Sequence, residues 1–363
     1  MSKTWRVAVV GCGSFGCGTY LPNIGKEANA VCTAVCDIVP ERAQKAAERF
    51  HVPAWYTSVE DMLKVGDFDI CIDAASIQAH HEINMAVLSA KKHLISQKPA
   101  APTVELFDEQ IALAKKMGVK FACAPIHPMR FDLAVAKQIM ASGGIGEPSY
   151  LKCNLAHGGP EYFQYRDADP SWFYEDGAGA LVDMGVHGLQ IATTVFGPIE
   201  SISCLGMITD PARRVRSGAF NGKTIQSDRC PDEYLITMRF KNGKAGFLDT
   251  GFSQKASKTP QLEIYGTRGT IAFTQQYMTN PMPEVYVDSD ALGLRGWVTP
   301  SLWETVPEKL GSQCCILKDL VRAIENDTAP VLSPEHARHI LEVMTKIPTA
   351  VATGANVIME TTF

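Results

Sequence analysis

The segment that most constrains the fold is a short apolar run that leads directly into a glycine-rich loop. Residues 6–10 are mostly apolar, as in a parallel strand buried on both faces. Gly11, Gly13 and Gly16 follow with GxGxxG spacing. In that spacing the first glycine allows a tight turn, the second lets backbone approach a pyrophosphate, and the third lets the next helix pack on the strand. The loop predicts a dinucleotide site, although glycine-rich turns of other kinds are common.

An acidic residue ends the second predicted strand. Residues 31–36 are mostly apolar, and Asp37 follows them close to the position where a carboxylate hydrogen-bonds the adenosine ribose. Asp37 could instead only cap the helix predicted at residues 40–50. A carboxylate at this place would repel a 2′-phosphate, so the sequence favours NAD over NADP.

Strand-like and helix-like segments continue to alternate up to about residue 125. Strands are predicted at 68–73, 93–96 and 120–124, and helices at 58–64, 82–90 and 104–117. This alternation predicts a doubly wound parallel sheet, whose ligands bind beyond the carboxyl ends of the strands. Pro125 and Pro128 break the pattern. We therefore expect an NAD-binding Rossmann domain at residues 1–125, an α/β fold, followed by a helix at 133–142.

The second half of the chain is dominated by strands. They are predicted at 150–155, 199–208, 233–240, 245–252, 261–265 and 270–273, and two helices, at 314–325 and 334–353, close the chain. Asn242 and Gly243 both tolerate positive φ and predict a hairpin. We expect residues 126–363 to form an α+β substrate-binding domain with a large open, mainly antiparallel sheet. Such a sheet needs a cover on its second face, which predicts a homo-oligomer formed through it.

A polar pair interrupts an apolar segment of this second domain. Asp183 and His187 are four residues apart, so an α-helix would place them on one face, among apolar neighbours. Burying an acid and an imidazole without partners would be costly. The helix alone is compatible with a structural pair of core residues and with a catalytic pair.

Composition excludes several classes of protein. With 46% hydrophobic and 20% charged residues the chain is of the ordinary globular type, and a net charge of -5 argues against nucleic-acid binding as a main role. No apolar run approaches the roughly 18 residues of a membrane span, and the N-terminal residues do not resemble a signal peptide. We therefore expect a cytoplasmic protein with no membrane partner. The eleven cysteines contain no CxxC pair, so we expect reduced, buried thiols and no metal site.

Taken together, the motifs resemble the Gfo/Idh/MocA oxidoreductase family, which includes glucose-fructose oxidoreductase and inositol dehydrogenase. The likeness spans nearly the whole chain. It rests on the glycine loop, Asp37, His80, the Gln97-Lys98-Pro99 run, Arg130-Phe131, the segment around Trp172, and Asp183-x-Gly185-x-His187. The resemblance implies NAD-dependent hydride transfer from a carbinol carbon.

The resemblance also implies roles for individual residues. Lys98 would lie beside the nicotinamide and hydrogen-bond the reacting hydroxyl, His187 would be the general base, and Asp183 would orient the histidine or bind substrate. An imidazole with an ordinary pKa near 6.5 suits a base at neutral pH, and an ammonium stabilises a developing alkoxide. The cofactor contacts expected are Gly11, Gly13, Ser14, Phe15, Gly16, Asp37, Ser76, His80, Gln97 and Lys98. The substrate contacts expected are Lys98, Arg130, His157, Trp172, Asp183 and His187.

Two positions depart from the family pattern. Gln97 replaces the acid before the lysine, which removes a negative charge beside Lys98 and could lower its pKa or alter contacts to the nicotinamide. Ala75-Ser76 replaces the usual Thr-Pro at the strand end before His80, which changes the residues expected to pack on the cofactor there. Neither change removes Lys98, Asp183 or His187.

An aromatic and polar loop precedes the Asp183 helix and suggests the substrate. Residues 157–167 and 172–176 combine flat apolar surfaces with hydrogen-bonding groups, as sugar sites require, although they could form only a surface loop. We expect oxidation of a secondary ring hydroxyl of a sugar, polyol or glycoside, the 3-hydroxyl of a glucoside being the narrowest form. One alternative keeps NAD bound and recycles it between a sugar and a keto-sugar. Others are a non-catalytic NAD- and sugar-binding regulator, and an enzyme that acts on a cyclic imine or a trans-diol.

Overall fold

The computed structural model describes residues 3–163, 169–175, 177–273, 282–291, 293–301 and 312–363, and the chain divides into two compact units. The first unit runs to Ile126 and includes a C-terminal segment that ends at Leu341. The second begins at His127 and includes Glu342–Phe363. The division after Ile126 lies one residue from the boundary expected at 125. Residues 312–341, which the sequence interpretation placed in the second domain, belong to the first unit.

The first unit contains a six-stranded sheet in which every pair of neighbours is parallel, in the order β3-β2-β1-β4-β5-β6. Its strands are β1 (Trp5–Val10), β2 (Ala30–Cys36), β3 (Ala54–Tyr56), β4 (Ile70–Asp73), β5 (His93–Ser96) and β6 (Phe121–Cys123). Its helices are α1 (Ile24–Glu27), α2 (Pro40–Phe50), α3 (Val59–Val65), α4 (His80–Ser89), α5 (Val104–Met117) and, late in the chain, α9 (Cys315–Glu325). This strand order is the doubly wound arrangement, so the predicted fold is confirmed.

Local sequence signals account for the helix ends of this unit. The side chain of Ser58 accepts a hydrogen bond from the amide of Asp61 and begins α3, and Thr103 does the same for α5 through the amide of Leu106. Gly118 ends α5 with φ +69°, a conformation that costs glycine little. The bounds predicted for α2, α5 and β5 coincide with those observed.

The second unit contains a nine-stranded mixed sheet in the order β16-β15-β14-β13-β7-β12-β11-β8-β17. Its strands are β7 (Pro148–Asn154), β8 (Ile199–Met207), β11 (Glu233–Phe240), β12 (Ala245–Gly251), β13 (Leu262–Gly266), β14 (Gly269–Phe273), β15 (Glu284–Ser289), β16 (Leu294–Val298) and β17 (Val357–Ile358). A separate pair consists of β9 (Ala212–Arg214) and β10 (Thr224–Gln226). The β7–β12 pair is parallel and the other pairs are antiparallel, as predicted for a mainly antiparallel sheet. The Asn242-Gly243 hairpin is confirmed, with Gly243 at φ +82° between β11 and β12.

One face of this sheet is covered by helix. The helices of this unit are α6 (Phe131–Ala141), α7 (Pro160–Phe163), α8 (Val186–Phe196) and α10 (Pro334–Thr353), in which the boundary at Leu341 falls. Of these, α8 packs against β7 and β12. A Cβ on Gly188 of α8 would lie 2.5 Å from the side chain of Leu248, so helix and sheet approach closely there. Leu205 of β8 lies opposite Leu235 of β11, which lies opposite Asp249 of β12. Asp249 follows Leu248, and successive side chains of a strand point to opposite faces. The side chains of Leu205, Leu235 and Asp249 therefore point away from α8. Leu205 is 67% exposed, and Trp297 of β16 is 54% exposed.

Other sequence expectations concern thiols and membrane segments. All eleven cysteines are thiols, and eight of them are buried. Burial raises the pKa of the Cys36 thiol to about 12, which suits an unreactive side chain. Across the described ranges, every helix is too short or too polar to span a lipid bilayer.

Candidate functional site

The glycine loop of the first unit is built so that its first and third glycines are required. Gly11 has φ +92°, and a Cβ there would lie 2.5 Å from the backbone of Ala74. A Cβ on Gly16 would lie 2.0 Å from the carbonyl oxygen of Gly11, so the chain after the loop packs against β1 too closely for any other residue. At Gly13 a Cβ would meet no atom within 4 Å. The middle of the loop is therefore open in front of its backbone, as a phosphate-binding loop requires.

The carboxylate of Asp37 ties this loop to the end of β2. Asp37 is 7% exposed; its Oδ2 accepts a hydrogen bond of 2.9 Å from the amide of Cys12, and its Oδ1 accepts one of 2.9 Å from the amide of Val39. Two of roughly four acceptor positions of the carboxylate are thus used, and the rest suit ribose hydroxyls. Asp37 binds the amide of Val39 before α2 begins, and α2 has no side-chain cap; the role of Asp37 as a ribose ligand stays a prediction.

The end of β4 carries a buried pair, Asp73 and His80, of which sequence reasoning named His80 and missed Asp73. Asp73 and His80 are 0% and 1% exposed, and Oδ2 of the aspartate lies 2.7 Å from Nδ1 of the histidine. Oδ1 of Asp73 accepts a hydrogen bond of 3.0 Å from the amide of Ala75. His80 therefore fixes the turn after β4 that leads to the exposed Ser76. The sequence signal was available, since an acid ends an otherwise apolar strand seven residues before a histidine.

Lys98 follows β5 at the next strand end and is partly exposed. Its neighbour Gln97 donates a hydrogen bond from Nε2 to the hydroxyl of Tyr20, and the Gln97 amide donates one of 3.0 Å to the carbonyl of Asp73. Burial raises the pKa of Tyr20, so its hydroxyl stays protonated. The neutral Gln97 thus has a neutral partner in Tyr20, and the hydrogen bonds of Gln97 hold the backbone next to Lys98.

A buried amide network supports the same segment. The Nδ2 of Asn84 donates to Oγ of Ser96 at 2.9 Å and to the carbonyl of Ala100 at 3.2 Å. Gln110 donates a second bond, of 2.9 Å, to that carbonyl. Asn84, Ser96 and Gln110 are each 0% exposed, so buried hydrogen-bonding side chains hold the chain on both sides of Lys98.

In the second unit Asp183 and His187 lie at the start of α8. The predicted single α-helical face is wrong in detail, because Leu181–Gly185 forms a π-helical turn before α8 begins at Val186. Single π turns of this kind are frequent at functional sites. Asp183 and His187 are both partly exposed, whereas Leu181 and Val186 beside them are buried. The polar pair therefore lies at the accessible end of a buried helix.

Each member of the pair has a histidine partner from another segment. The Nδ1 of His187 lies 3.0 Å from Nε2 of His127, which is 1% exposed and follows β6. The amide of His127 donates to Oε1 of Gln190, one turn further along α8, at 3.1 Å. The Nε2 of His157 lies 3.9 Å from Oδ2 of Asp183. Sequence reasoning chose His157 as a substrate contact and missed His127.

The environment of His157 keeps its imidazole neutral. Burial lowers the pKa of His157, and the Asp183 carboxylate opposes that effect without reversing it. The amide of Gly159 donates a hydrogen bond of 2.9 Å to Nδ1, so the single proton of the neutral ring is on Nε2 and faces Asp183. The ring also stacks on Phe252, with 5.2 Å between centroids and 17° between planes.

Arg130, which was expected to contact substrate, is 3% exposed. Its Nε donates to Oδ1 of Asp132 at 3.0 Å, and its Nη2 donates to the other oxygen of that carboxylate. Its Nη1 lies 3.5 Å from Nδ1 of His127. The guanidinium is thus engaged within the protein, and a contact with substrate stays a prediction.

The aromatic loop is described in two pieces, 157–163 and 169–175. Residues 164–168 and 176 of the loop predicted from the sequence lie outside the described residues. Trp172 stacks on Phe173 with 3.8 Å between centroids, and Phe173 and Tyr174 meet Phe252 edge to face. These rings and His157 therefore form one cluster around Phe252.

A buried charge network anchors this loop and was also missed. Arg213 is 3% exposed and donates hydrogen bonds of 2.9 Å to Glu161 and 2.7 Å to Asp232. Tyr174 donates its hydroxyl proton to Glu161 from the other piece of the loop. Glu161, Asp232 and Arg213 come from three separate segments, so sequence spacing gave no signal for their contact.

Comparison with known proteins gives the family. The model of the oxidoreductase family with an NAD-binding Rossmann fold matches residues 5–124, and the model of the GFO/IDH/MocA C-terminal domain matches residues 133–272. The chain belongs to the GFO/IDH/MocA family. It is accordingly an NAD-dependent oxidoreductase, and the resemblance and the cofactor predicted from the sequence are confirmed.

Relatives of this oxidoreductase include sugar and polyol dehydrogenases. It is 22% identical to myo-inositol 2-dehydrogenase of Thermotoga maritima over 93% of both chains. It is 23% identical to D-glucoside 3-dehydrogenase of Escherichia coli, over 69% of this chain and 71% of the relative. A solved structure of levoglucosan dehydrogenase in complex with NADH superposes with a TM-score of 0.83 and 22% identity, covering 99% of this chain and 100% of the other. These relatives share the fold of the present oxidoreductase.

The candidate residues of this oxidoreductase form two groups, one in each unit. The first unit of the oxidoreductase holds the loop, Asp37, the Asp73–His80 pair and Lys98 at the carboxyl ends of its parallel strands. The second unit brings together Asp183 with His157 and His187 with His127. The individual roles assigned to these residues from the sequence stay predictions.

Proposed function

We propose that this oxidoreductase oxidises a secondary ring hydroxyl of a sugar, polyol or glycoside to a keto-sugar, with NAD as the hydride acceptor. The observation that carries the proposal is the pair of partly exposed side chains at the start of α8, Asp183 and His187. The Oδ2 of Asp183 lies 3.9 Å from Nε2 of His157, and the Nδ1 of His187 lies 3.0 Å from Nε2 of His127. Removing a hydride from a carbinol carbon requires that the hydroxyl proton depart, and polar groups of this kind suit that task.

The residues of the first unit fit NAD. The open backbone at Gly13 would receive the pyrophosphate, and the unused acceptor positions of Asp37 would receive the adenosine ribose hydroxyls. Bound NAD would supply a nicotinamide ring that accepts a hydride. Asp37 would disfavour a cofactor with a 2′-phosphate, because two anions would then meet in a mostly buried position.

Proton transfer is proposed for three side chains. Lys98 and His187 assist the loss of the hydroxyl proton, and Asp183 orients the substrate or the imidazole. The neutral Nε2–H of His157 faces the Asp183 carboxylate at 3.9 Å. The supporting observation is that Lys98, Asp183 and His187 are all partly exposed, while Asn84 and Gln110 near Lys98 and His127 beside His187 are buried.

The aromatic cluster supports a carbohydrate substrate. Sugars present flat C–H faces to aromatic rings and hydroxyls to polar groups, and Trp172, Phe173 and His157 offer both kinds of surface within one cluster. The names of the relatives, which act on an inositol, a glucoside and levoglucosan, favour the same class. The narrowest form of the proposal is oxidation of the 3-hydroxyl of a glucoside.

Three other functions can be distinguished from this one. An oxidoreductase that keeps NAD bound would recycle it between a sugar and a keto-sugar, and it would turn over little added NAD. A non-catalytic regulator of the same fold would bind NAD or sugar without turnover; the retention of Lys98, Asp183 and His187 speaks against it. An enzyme for a cyclic imine or trans-diol would have less use for the aromatic cluster.

A test begins with the absorbance spectrum and mass of any ligand released from the purified protein by heat. NAD is then added with a panel of hexoses, inositols and glucosides while absorbance is followed at about 340 nm, where NADH absorbs. We expect steady NADH formation with at least one member of the panel. His187→Asn should reduce that rate by about 100-fold or more, within the range measured for catalytic acid–base groups, whereas His51→Asn, at an exposed position in the first unit, should not.

Reduction of NAD only when the ligand is already bound, with turnover restored by a keto-sugar, would instead establish internal recycling. Binding of NAD without reduction by any member of the panel would contradict the proposal and favour the regulator.

We further infer that the sheet face opposite α8 joins a second copy of the chain. It exposes large apolar side chains, including Leu205, Met207 and Trp297, which an isolated chain would leave in water. A self-complementary sheet face is a common way for identical subunits to pair.

A further inference from the structure

A line of buried polar groups lies behind His187. Asp132, Arg130 and His127 are 0%, 3% and 1% exposed, and they contact one another in that order before His127 meets His187. All four belong to the second unit. A chain of polar groups this deeply buried must have its protons in defined places, because an unmatched donor or acceptor is costly there.

The orientation of Arg130 sets the first proton. Its Nε and Nη2 are taken by the carboxylate of Asp132, which leaves Nη1 directed at Nδ1 of His127 at 3.5 Å. A guanidinium can only donate hydrogen bonds. Its positive charge also disfavours an N–H on the imidazole nitrogen that faces it. Both effects place a lone pair on Nδ1 of His127, and a neutral His127 then carries its proton on Nε2.

That proton determines the state of His187. The Nε2 of His127 is 3.0 Å from Nδ1 of His187, so the Nε2–H donates and Nδ1 of His187 accepts. A neutral imidazole that accepts at Nδ1 bears its proton on Nε2. We infer that the Asp132–Arg130–His127 chain fixes His187 as the Nε2–H tautomer, so that it offers the substrate a hydrogen-bond donor rather than a proton acceptor.

The other tautomer of His187 would require the proton positions on both histidines to be reversed. To accept a proton at Nε2, a neutral His187 must carry its proton on Nδ1 and donate it to His127. His127 would then need a proton on its own Nδ1, facing the guanidinium of Arg130. This arrangement loses a hydrogen bond from a charged donor and sets an N–H against a cation, so Arg130 and its partner Asp132 act as positioning residues for the tautomer.

The consequence for the reaction rests on the proposed function. When the substrate O–H bond breaks, the Nε2–H of His187 stabilises the oxygen as negative charge develops on it. The proton must then go to a base other than His187, and Lys98 is the other side chain proposed for its removal. Among the described residues, Arg130 and Asp132 lie behind this imidazole, and Asp183 precedes it by four residues in the chain.

Nitrogen NMR of the resting protein tests the tautomer without any substrate. The protein is labelled with ¹⁵N-histidine, and two-bond proton–nitrogen correlations are recorded above the ordinary imidazole pKa of about 6.5. Signals are assigned from the spectra of His127→Gln and His187→Gln. We expect the Nε2–H tautomer at both rings. The Nδ1–H tautomer at His187, or comparable amounts of the two forms, would overturn the inference.

Arg130→Met tests the cause. We expect His127 to lose its tautomer preference, with the Nδ1–H form rising to a visible fraction, while Arg214→Met, at an exposed position of the same unit, leaves both rings unchanged. An unaltered tautomer in folded Arg130→Met would refute the role of the guanidinium. Should Arg130→Met fail to fold, His127→Leu serves instead, and a His187 that still holds a single Nε2–H form would refute the role of the chain.

Kinetics separates this inference from the proposed function. Gln can replace the Nε2–H donor but cannot act as a base, so in His187→Gln we expect kcat/KM with an active sugar to fall while the acid limb of its pH profile persists. Loss of that limb would show that His187 is the titrating base and would overturn the inference. Absence of activity with every sugar would remove the proposed function, and the NMR result on the tautomer would stand by itself.

Discussion

Replacement of Arg213 by methionine tests the buried network that anchors the aromatic loop. Methionine keeps much of the side-chain volume but leaves Glu161 and Asp232, 5% and 2% exposed, without their shared cation. Burial lowers the pKa of Arg213, but its hydrogen bonds to Asp232 and Glu161 outweigh this and hold that pKa above the ordinary value. The charge that is removed is therefore present at every pH at which the protein is folded.

The expected loss follows from the contacts that survive. Removing one partner of a buried ion pair costs about 3–5 kcal/mol. Asp232 retains hydrogen bonds from the amide and hydroxyl of Thr209, and Glu161 retains the one from Tyr174, so the loss should lie near the lower end, about 3 kcal/mol. For a unit of about 150–250 residues, this lowers the melting temperature by about 6–12 °C.

The assay is differential scanning calorimetry of wild type, Arg213→Met and Arg214→Met. Arg214 is exposed on the same strand and serves as the matched control, for which we expect a change below about 0.5 kcal/mol. A loss below about 1 kcal/mol for Arg213→Met would refute the account of a buried, mutually dependent network.

Three further predictions concern the cofactor, pH and assembly. Asp37→Ser should weaken NAD binding by about 10-fold or more and reduce the preference for NAD over NADP, because a hydrogen bond to a charged acceptor is worth about 1.5–3 kcal/mol. Calorimetric titration with both cofactors measures the two dissociation constants. An unchanged ratio of these constants would contradict the ribose role. Burial raises the pKa of Glu233 from its ordinary 4.5 to about 7, opposed by the hydrogen bond from Ser253 and aided by Asp249. The folded protein therefore holds this proton more tightly than the unfolded chain does, and the free energy of unfolding should fall as pH rises from 4.5 to 7. In Glu233→Gln this pH dependence should be absent, and above pH 7 the free energy of unfolding should be larger than that of the wild type by ~1–3 kcal/mol. A parallel pH dependence of urea unfolding in both proteins would contradict this. Leu205→Lys should reduce the mass found by light scattering to that of a smaller assembly, and an unchanged mass would count against pairing through this face.

Much of the fold could be predicted because its signals are local. A capping hydroxyl at Thr103 and a glycine at Gly118 delimit α5, and a continuous apolar run gives β1, whatever the rest of the chain does. Strands without such signals were missed: β3 has three residues, β17 has two, and β15 and β16 exist through pairing with neighbours that the sequence does not reveal.

The residues of the candidate site also divide into those that have a local sequence signal and those that have none. Asp183 and His187 could be chosen from their spacing and apolar surroundings, but their imidazole partners could not, since His127 lies 60 residues before His187 and meets it only after folding. At Arg130, which the sequence predicts to contact substrate, folding buries the guanidinium against Asp132, and the contact with substrate stays a prediction. Asp132, two residues later, was the available sign that its charge is met locally.

The central claim is hydride transfer from a carbinol carbon of a sugar to NAD, and isotopic labelling tests it most directly. The sugar or glycoside that turns over in the panel is prepared with deuterium on the carbon that is oxidised, and the NADH formed is analysed by mass spectrometry. The account predicts NADH that carries the deuterium, together with a slower rate if hydride transfer limits turnover. Unlabelled NADH, or deuterium recovered in water, would contradict direct transfer from that carbon.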